Sequence, residues 1–141
     1  MPSNSKPEDI VLLKGLIRIL RRFAVVEHRM QVSTVLTLLE TAYADMVGEE
    51  PGIVEIQQRI GLWSGTATRN VAYWAGGHKT MPSGGHKMID MEMSATDRRR
   101  RVLKMTPKGR AFIEQLLEEI KHGETAGMSS PAVIPSTAIP G

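Results

Sequence analysis

The sequence predicts a mostly helical α+β fold with five helices and a single β-hairpin. Apolar residues recur at three- and four-residue spacing over most of 7–75 and again over 107–122, which is the period of an α-helix. Residues 88–105 instead alternate between apolar and polar side chains around a turn, as two half-buried strands do. Gly61 divides the third helical pattern from the fourth, because glycine accepts the left-handed backbone that ends a short helix.

Composition narrows the class of protein. The chain has 141 residues, the size of one ordinary domain, and contains no cysteine. Disulfides, thiolate zinc sites and thiol redox chemistry are therefore excluded, and a reducing compartment is favoured. No charged-then-apolar leader opens the sequence, and no apolar run reaches the ~18 residues that a membrane span needs. We expect a cytoplasmic protein without a membrane partner.

Positive charge is concentrated in the second half of the chain. Residues 64–110 hold ten basic and three acidic side chains, a net charge of +7, although the whole chain carries only +3. The remaining residues are therefore net negative. A polyanion is the partner that this basic stretch would attract.

The first helix is predicted over 7–29, after a flexible N-terminus at 1–6. Its apolar residues form two stripes, Ile10, Leu13, Ile17, Leu20 and Ala24, and Leu12, Leu16, Ile19, Phe23 and Val26. A surface helix usually buries a single stripe. The helix could lie at the centre of a monomeric core. However, so short a chain has little else to cover both stripes, which favours a helix shared between two subunits.

The second helix is predicted over 31–46, and Gly48, Pro51 and Gly52 follow it as helix breakers. A single apolar face is expected, made of Val32, Val35, Leu36, Leu39, Ala42, Tyr43 and Met46.

Residues 53–75 have the pattern of a helix-turn-helix. Ile56 and Ile60 lie one turn apart on the first helix, Gly61 makes the turn, and Leu62 is expected to plug the space between the helices. Ala67, Val71 and Trp74 form the apolar face of the second helix. Its other face carries small groups, hydroxyls and an arginine: Ser64, Gly65, Thr68, Arg69 and Tyr73. Such a face could simply meet water, but these groups suit close approach to base edges and phosphates.

Residues 76–88, with the sequence GGHKTMPSGGHKM, are predicted to form a basic loop that is solvated or touches phosphate. No glycine immediately precedes Lys79, as a phosphate-binding loop would require. His78 and His86 lack a carboxylate or thiolate at ligand spacing. Neither a metal site nor a cofactor is predicted.

A β-hairpin is predicted from Met88–Met93 and a return strand in which Leu103 and Met105 face one way and Val102 and Lys104 the other. Arg98, Arg99, Arg100 and Arg101 lead into the return strand. They could merely protect a solvated edge, but directly after a helix-turn-helix they are typical of the wing of a winged helix. Since neighbouring strand side chains point to opposite faces, the four arginines cannot all reach DNA from one strand face. We expect Arg98, at the turn, to swing toward phosphate. We expect Arg100 and Arg101 to serve solubility or to pair with Asp90 or Glu92.

Thr106 and Pro107 are predicted to begin a last helix that ends at Gly123. Its apolar face is expected to hold Phe112, Ile113, Leu116, Leu117 and Ile120. Residues 123–141 are rich in Pro, Ser, Ala and Gly and are predicted to be disordered.

Two stretches resemble MarR-type transcriptional regulators. The run Asp97-Arg98-Arg99, then Leu103, then Met105-Thr106-Pro107-Lys108-Gly109 resembles the family's wing signature. That signature is Asp, any residue, Arg, a short strand and Leu-Thr-x-x-Gly, so Met105 stands in the place of leucine. Glu55–Arg69 is similar to the family's helix-turn-helix in register. The resemblance covers about 7–122, with the winged helix-turn-helix at about 31–106.

The resemblance implies a homodimer whose helices at 7–29 and 107–122 form a dimerisation lobe, with one winged helix per subunit on double-stranded DNA. Many members of the family respond to a small-molecule effector. By position, Ser64, Thr66, Thr68 and Arg69 fall on the recognition helix. Asp97 falls on the wing residue that orients an arginine, and Arg99 on the arginine that reaches the minor groove.

The function that we expect is a sequence-specific DNA-binding transcriptional regulator, a repressor that acts as a homodimer on a pseudo-palindromic operator. The alternative is an architectural or replication-type DNA binder, or a winged helix that has become a protein-interaction module. An enzyme is not expected. No paired carboxylates stand out, and the four histidines are scattered among different segments: His28, His78, His86 and His122.

Overall fold

The computed structural model describes residues 6–61, 64–76 and 85–128. The described chain forms five helices and a two-stranded antiparallel sheet: α1 (Pro7–Val26), α2 (Val32–Val47), α3 (Ile53–Ile60), α4 (Ser64–Trp74), β1 (Ile89–Met93), β2 (Arg101–Met105) and α5 (Pro107–Met128). Arg29–Ile113 is one compact unit, and the described parts of Met1–His28 and Glu114–Gly141 are another. The mostly helical α+β prediction is confirmed.

In the unit of the two chain ends, α1 packs against the C-terminal part of α5. Arg18 and Arg22 pair with Glu119 at 3.3 and 2.7 Å. The helix ends at Val26, earlier than predicted, because Glu27 takes an extended backbone. Phe23 is buried, but six large apolar residues of the two stripes are each 40–58% exposed: Ile10, Leu12, Leu13, Leu16, Ile17 and Leu20. In a single chain, this helix therefore leaves much of its apolar surface exposed to water.

The predicted apolar face of α2 is wrong in part. Val35 and Ala42 are buried, but Val32 and Met46 are 73% and 67% exposed. Three threonines take buried positions instead: Thr34, Thr37 and Thr41. Thr37 and Thr41 each donate a hydroxyl hydrogen bond of 2.8 Å to the carbonyl four residues earlier. Because these hydroxyls are satisfied inside the helix, a polar residue can occupy its buried side.

The helix-turn-helix has the predicted form. α3 ends at Gly61, whose φ of 71° is left-handed. Ala67, Val71 and Trp74 of α4 are 0–2% exposed, so this face packs into the core as predicted. Leu62, the predicted plug, lies outside the described residues, and so does the part 77–84 of the predicted loop over 76–88.

The hairpin of β1 and β2, here called the wing (Ile89–Met105), pairs Ile89 with Met105 and Met93 with Arg101. Both faces of β2 are covered, since Val102 and Leu103 are 0% and 2% exposed. The outer edge of β2 is bonded as well, because the Leu103 N–H donates to the Pro51 carbonyl at 2.8 Å.

Helix α5 begins where the sequence predicts, with the Thr106 hydroxyl accepting from the Gly109 N–H at 3.0 Å. The predicted end at Gly123 is wrong, because the helix continues to Met128. A glycine inside a helix costs only about 0.5–1 kcal/mol, and the first proline downstream is Pro131. The predicted disorder over 123–141 is therefore wrong at 123–128, which belong to α5, and 129–141 fall outside the described residues. None of the helices in the described ranges is long and apolar enough to cross a membrane.

Candidate nucleic-acid interface

A buried polar cluster sets the orientation of α4 on α2. The Trp74 indole N–H donates to the Thr34 carbonyl at 2.7 Å, and the Thr34 hydroxyl donates to the Asn70 side-chain oxygen at 2.9 Å. Asn70 is 6% exposed and also donates to the Ser33 hydroxyl at 3.4 Å. Sequence reasoning missed this cluster. The position of Asn70 could have indicated the cluster, because helical spacing places this polar residue on the same face as Ala67, Val71 and Trp74.

The opposite face of α4 is polar and exposed. Gly65, Thr68 and Arg69 are exposed, and Thr66 is half-buried. No Cβ placed on Gly65 would meet another atom within 4 Å, so nothing in the described chain crowds this end of the helix. The Arg69 side chain makes no hydrogen bond or ion pair with a described residue. Ser64 begins α4, but its side chain lies outside the described residues.

Tyr73 does not belong to this exposed face, which corrects the sequence prediction. Its side chain is 7% exposed and packs edge-on against Trp74, with ring centroids 5.0 Å apart. The chain that returns toward β1 covers it, since the Gly85 N–H donates to the Tyr73 carbonyl at 2.9 Å and the His86 ring lies 4.7 Å away. Tyr73 is therefore a core residue.

The tip of the wing carries the predicted pair of Asp97 and Arg99. One carboxylate oxygen of Asp97 accepts from the Arg99 backbone N–H at 3.0 Å and lies 3.7 Å from the Arg99 side-chain Nε. The Arg99 side chain is 93% exposed, and Arg98 is exposed beside it. Asp97 thus lies close enough to bias the direction of a guanidinium that projects into solvent.

Arg100 points inward, and its predicted pairing with Asp90 or Glu92 is wrong. Its Nη2 lies 2.6 Å from each carboxylate oxygen of Glu55, and its Nη1 donates to the Glu50 carbonyl at 2.8 Å. The strand register explains the difference, because it places Asp90 and Glu92 opposite residues other than Arg100.

Glu50, just before α3, and Glu55, in its first turn, are both held charged by hydrogen bonds and nearby cations. The Gly52 N–H, and then Arg100, keep the pKa of Glu55 below its ordinary value. The Ser94 hydroxyl, and then Lys104, do the same for the pKa of Glu50. Both groups therefore remain ionised at neutral pH and can hold cations.

Seven cations of the basic stretch fall into two sets. Arg100, Lys104 and Arg110 form ion pairs of 2.6–3.2 Å with Glu55, Glu50 and Asp45. Arg69, Arg98, Arg99 and Arg101 project outward. Among the described residues there is no group of three or more side chains that could hold a metal ion.

A groove of about 300 Å³ lies between α4 and the sheet. Thr68 and Ala72 line it from the helix, and Met91 and Arg101 line it from the strands. The polar face of α4 and the wing therefore adjoin on one surface of the unit Arg29–Ile113.

Solved structures share this architecture, although neither a family model nor a curated protein matches the chain. RV1404 from Mycobacterium tuberculosis has a TM-score of 0.61 at 16% sequence identity, over 87% of this chain and 73% of that one. Staphylococcus aureus MarR, in complex with salicylate and kanamycin, has a TM-score of 0.50 at 20% identity, over 86% and 77%. The chain has a MarR-type winged helix-turn-helix fold.

Proposed function

We propose that the protein is a sequence-specific transcriptional regulator that binds double-stranded DNA through α4 and the wing. A helix about 10–12 Å wide fits the major groove, which is about 12 Å wide. The observation that carries the proposal is the separation of the two sets of cations. Those beside Glu50, Glu55 and Asp45 hold the fold together, whereas Arg69, Arg98 and Arg99 face solvent on adjoining elements.

Each part of the surface suits a different part of DNA. Ser64, Gly65, Thr66 and Thr68 keep the start of α4 small, so the backbone can approach base edges. Arg69 supplies a fork of donors that matches the acceptor pair of guanine. Arg98 and Arg99 suit phosphate or a narrow minor groove next to the site of α4.

We propose that the protein acts as a homodimer through α1 and α5, and that it represses by occupying an operator. The apolar residues that α1 leaves exposed support a second subunit, because water is an unfavourable surrounding for so much aliphatic surface. Two winged helices related by a two-fold axis would match a pseudo-palindromic operator. Such a regulator would work in the cytoplasm.

A small-molecule effector that weakens operator binding is part of the proposal. Salicylate is the first compound to test, because S. aureus MarR was solved in complex with it and kanamycin. Operator titrations with and without salicylate measure the effect directly.

Selection of bound fragments from random double-stranded DNA tests the main proposal. We expect the full chain to enrich a pseudo-palindrome whose half-sites are about 10–10.5 base pairs apart, centre to centre. Binding of all fragments alike would favour an architectural or replication-type role. A folded wild-type protein without DNA affinity would favour a protein-interaction module.

A further inference from the structure

The wing is bonded to the connection between α2 and α3, residues 48–52. Glu50 holds the wing at two points, accepting from the Ser94 hydroxyl at 2.9 Å and from the Lys104 ammonium at 3.2 Å. Next to it, the Pro51 carbonyl accepts from the Leu103 N–H at 2.8 Å. The connection thus runs beside β2 and also bonds Ser94, where the hairpin turn begins.

Arg100 extends these contacts to the first turn of α3. Its guanidinium bonds both oxygens of Glu55 and the Glu50 carbonyl at 2.6–2.8 Å. Glu55 in turn accepts from the Gly52 N–H at 2.5 Å, so the carboxylate is itself held in place. Charge-assisted hydrogen bonds such as these are shorter and stronger than hydrogen bonds between neutral groups.

Consecutive arginines of the wing have opposite surroundings. The Arg99 side chain is 93% exposed, whereas that of Arg100 is 36% exposed and is bonded through both of its terminal nitrogens. Three of the five N–H groups of the Arg100 guanidinium are thus engaged within the protein, which leaves it fewer donors for a phosphate than Arg99 has.

We propose that Arg100 is a positioning residue, which fixes the wing to the start of α3 and does not contact DNA. Through this contact Arg98 and Arg99 are held at a set distance from α4 before DNA arrives. A preordered wing loses less conformational freedom on binding, so its arginines contribute more to affinity. The consequence for DNA rests on the proposed function, whereas the ordering of the wing does not.

Hydrogen–deuterium exchange tests the ordering without DNA. In Arg100→Ala, backbone amides of 94–100 should exchange about tenfold faster than in the wild type, because charged hydrogen bonds that restrain the turn are lost. Arg98→Ala is the matched control and should leave this protection unchanged. Unaltered protection in Arg100→Ala, or an equal increase in Arg98→Ala, would overturn the inference.

Operator titrations at several salt concentrations separate positioning from contact. Arg100→Ala should weaken binding about tenfold through disorder of the wing while leaving the slope of log affinity against log salt unchanged. Loss of a phosphate contact would instead reduce that slope by about 0.9. A reduced slope in Arg100→Ala would show that this arginine contacts DNA and would overturn the inference.

A double-mutant cycle with Glu55 completes the test. If Arg100 acts through Glu55, the Arg100→Ala/Glu55→Ala variant should bind the operator as weakly as the weaker of the two single variants. If the affinity losses of the two single variants multiply in the double variant, Arg100 and Glu55 act independently, and the positioning role of Arg100 through Glu55 is refuted. If the wild type binds no DNA, the proposed function fails, while the exchange measurement still decides whether Arg100 holds the wing.

Discussion

Gly109, the glycine of the wing-to-helix signature, lies where the fold has no room for a side chain. A Cβ on this residue would overlap the carbonyl oxygen of Met88 and would lie 2.8 Å from the Met105 methyl carbon. The residue cannot easily move away, because its N–H is bonded to the capping hydroxyl of Thr106. The glycine is therefore required by close packing between α5 and the residue that precedes β1.

We expect Gly109→Ala to lower the free energy of unfolding by about 1–3 kcal/mol, the usual cost of overpacking. Denaturant titration followed by circular dichroism measures this change. Gly65→Ala is the control, because a Cβ there meets nothing within 4 Å and should stabilise by up to about 1 kcal/mol. Equal effects of the two substitutions would contradict the packing argument.

Arg69 is the residue of α4 on which base recognition is proposed to depend. Arg69→Ala should reduce the discrimination between operator and mismatched DNA by about 1–3 kcal/mol, with a smaller loss of non-specific affinity. Competition titrations with operator and random duplexes measure both quantities. An unchanged operator preference at lower overall affinity would mean that Arg69 only contacts phosphate.

Arg99 and Arg98 are the wing arginines that project into solvent. Each alanine substitution should weaken operator binding and reduce its salt slope by about 0.9, because one phosphate contact is lost. Asp97→Asn should have a milder effect than Arg99→Ala, since it loosens the guanidinium without removing it. Arg101→Ala is the control and should change little. Equal effects at all three arginines would indicate a diffuse basic patch.

Helix α4 is held on α2 by hydrogen bonds as well as by apolar packing. Thr34 accepts from Trp74 through its carbonyl and donates to Asn70 through its hydroxyl, and all three residues are buried. A buried network with satisfied partners specifies one packing arrangement of two helices. The angle of α4 is thus coupled to the polar side of α2.

Asn70→Ala should therefore destabilise the fold by about 1–3 kcal/mol, because the Thr34 hydroxyl loses its buried acceptor. Thermal or chemical unfolding measures the loss. Ser33→Ala removes a partner that lies 3.4 Å from Asn70, so it should cost under about 1 kcal/mol. A cost as large as that of Asn70→Ala would place the important contact at Ser33 instead.

The proposed assembly of two subunits rests on the exposed apolar residues of α1. Leu16 and Ile17 are 50% and 40% exposed on neighbouring stripes of one helix. Replacing both with glutamate should yield unfolded protein or a poorly soluble monomer, because charge would enter the proposed subunit interface. Size-exclusion chromatography with light scattering compares the variant with the wild type.

Exposed basic residues of the same helix provide the control for the test of dimer formation. Lys14→Glu and Arg21→Glu change charge at exposed positions outside the apolar stripes and should leave the proposed dimer intact. A soluble, folded wild-type monomer at micromolar concentration would contradict the homodimer proposal.

The amino-acid sequence by itself determined the order and most of the ends of the elements. Gly61 and the Thr106–Pro107 pair end or begin helices through their own backbone and cap chemistry, which acts over a few residues. The apolar period of α4 similarly identified Ala67, Val71 and Trp74 as its core face. The exposed positions of Gly65, Thr68 and Arg69 follow from the same helical period.

Only the tertiary structure decided which side chains are available for binding. Tyr73 is buried because residues 85–88 return across the end of α4, and no local pattern reports that path. Arg100 turns inward because its partners, Glu50 and Glu55, lie 50 and 45 residues earlier in the chain. Periodicity describes the two sides of one element, whereas burial and pairing depend on what the rest of the chain places against each side.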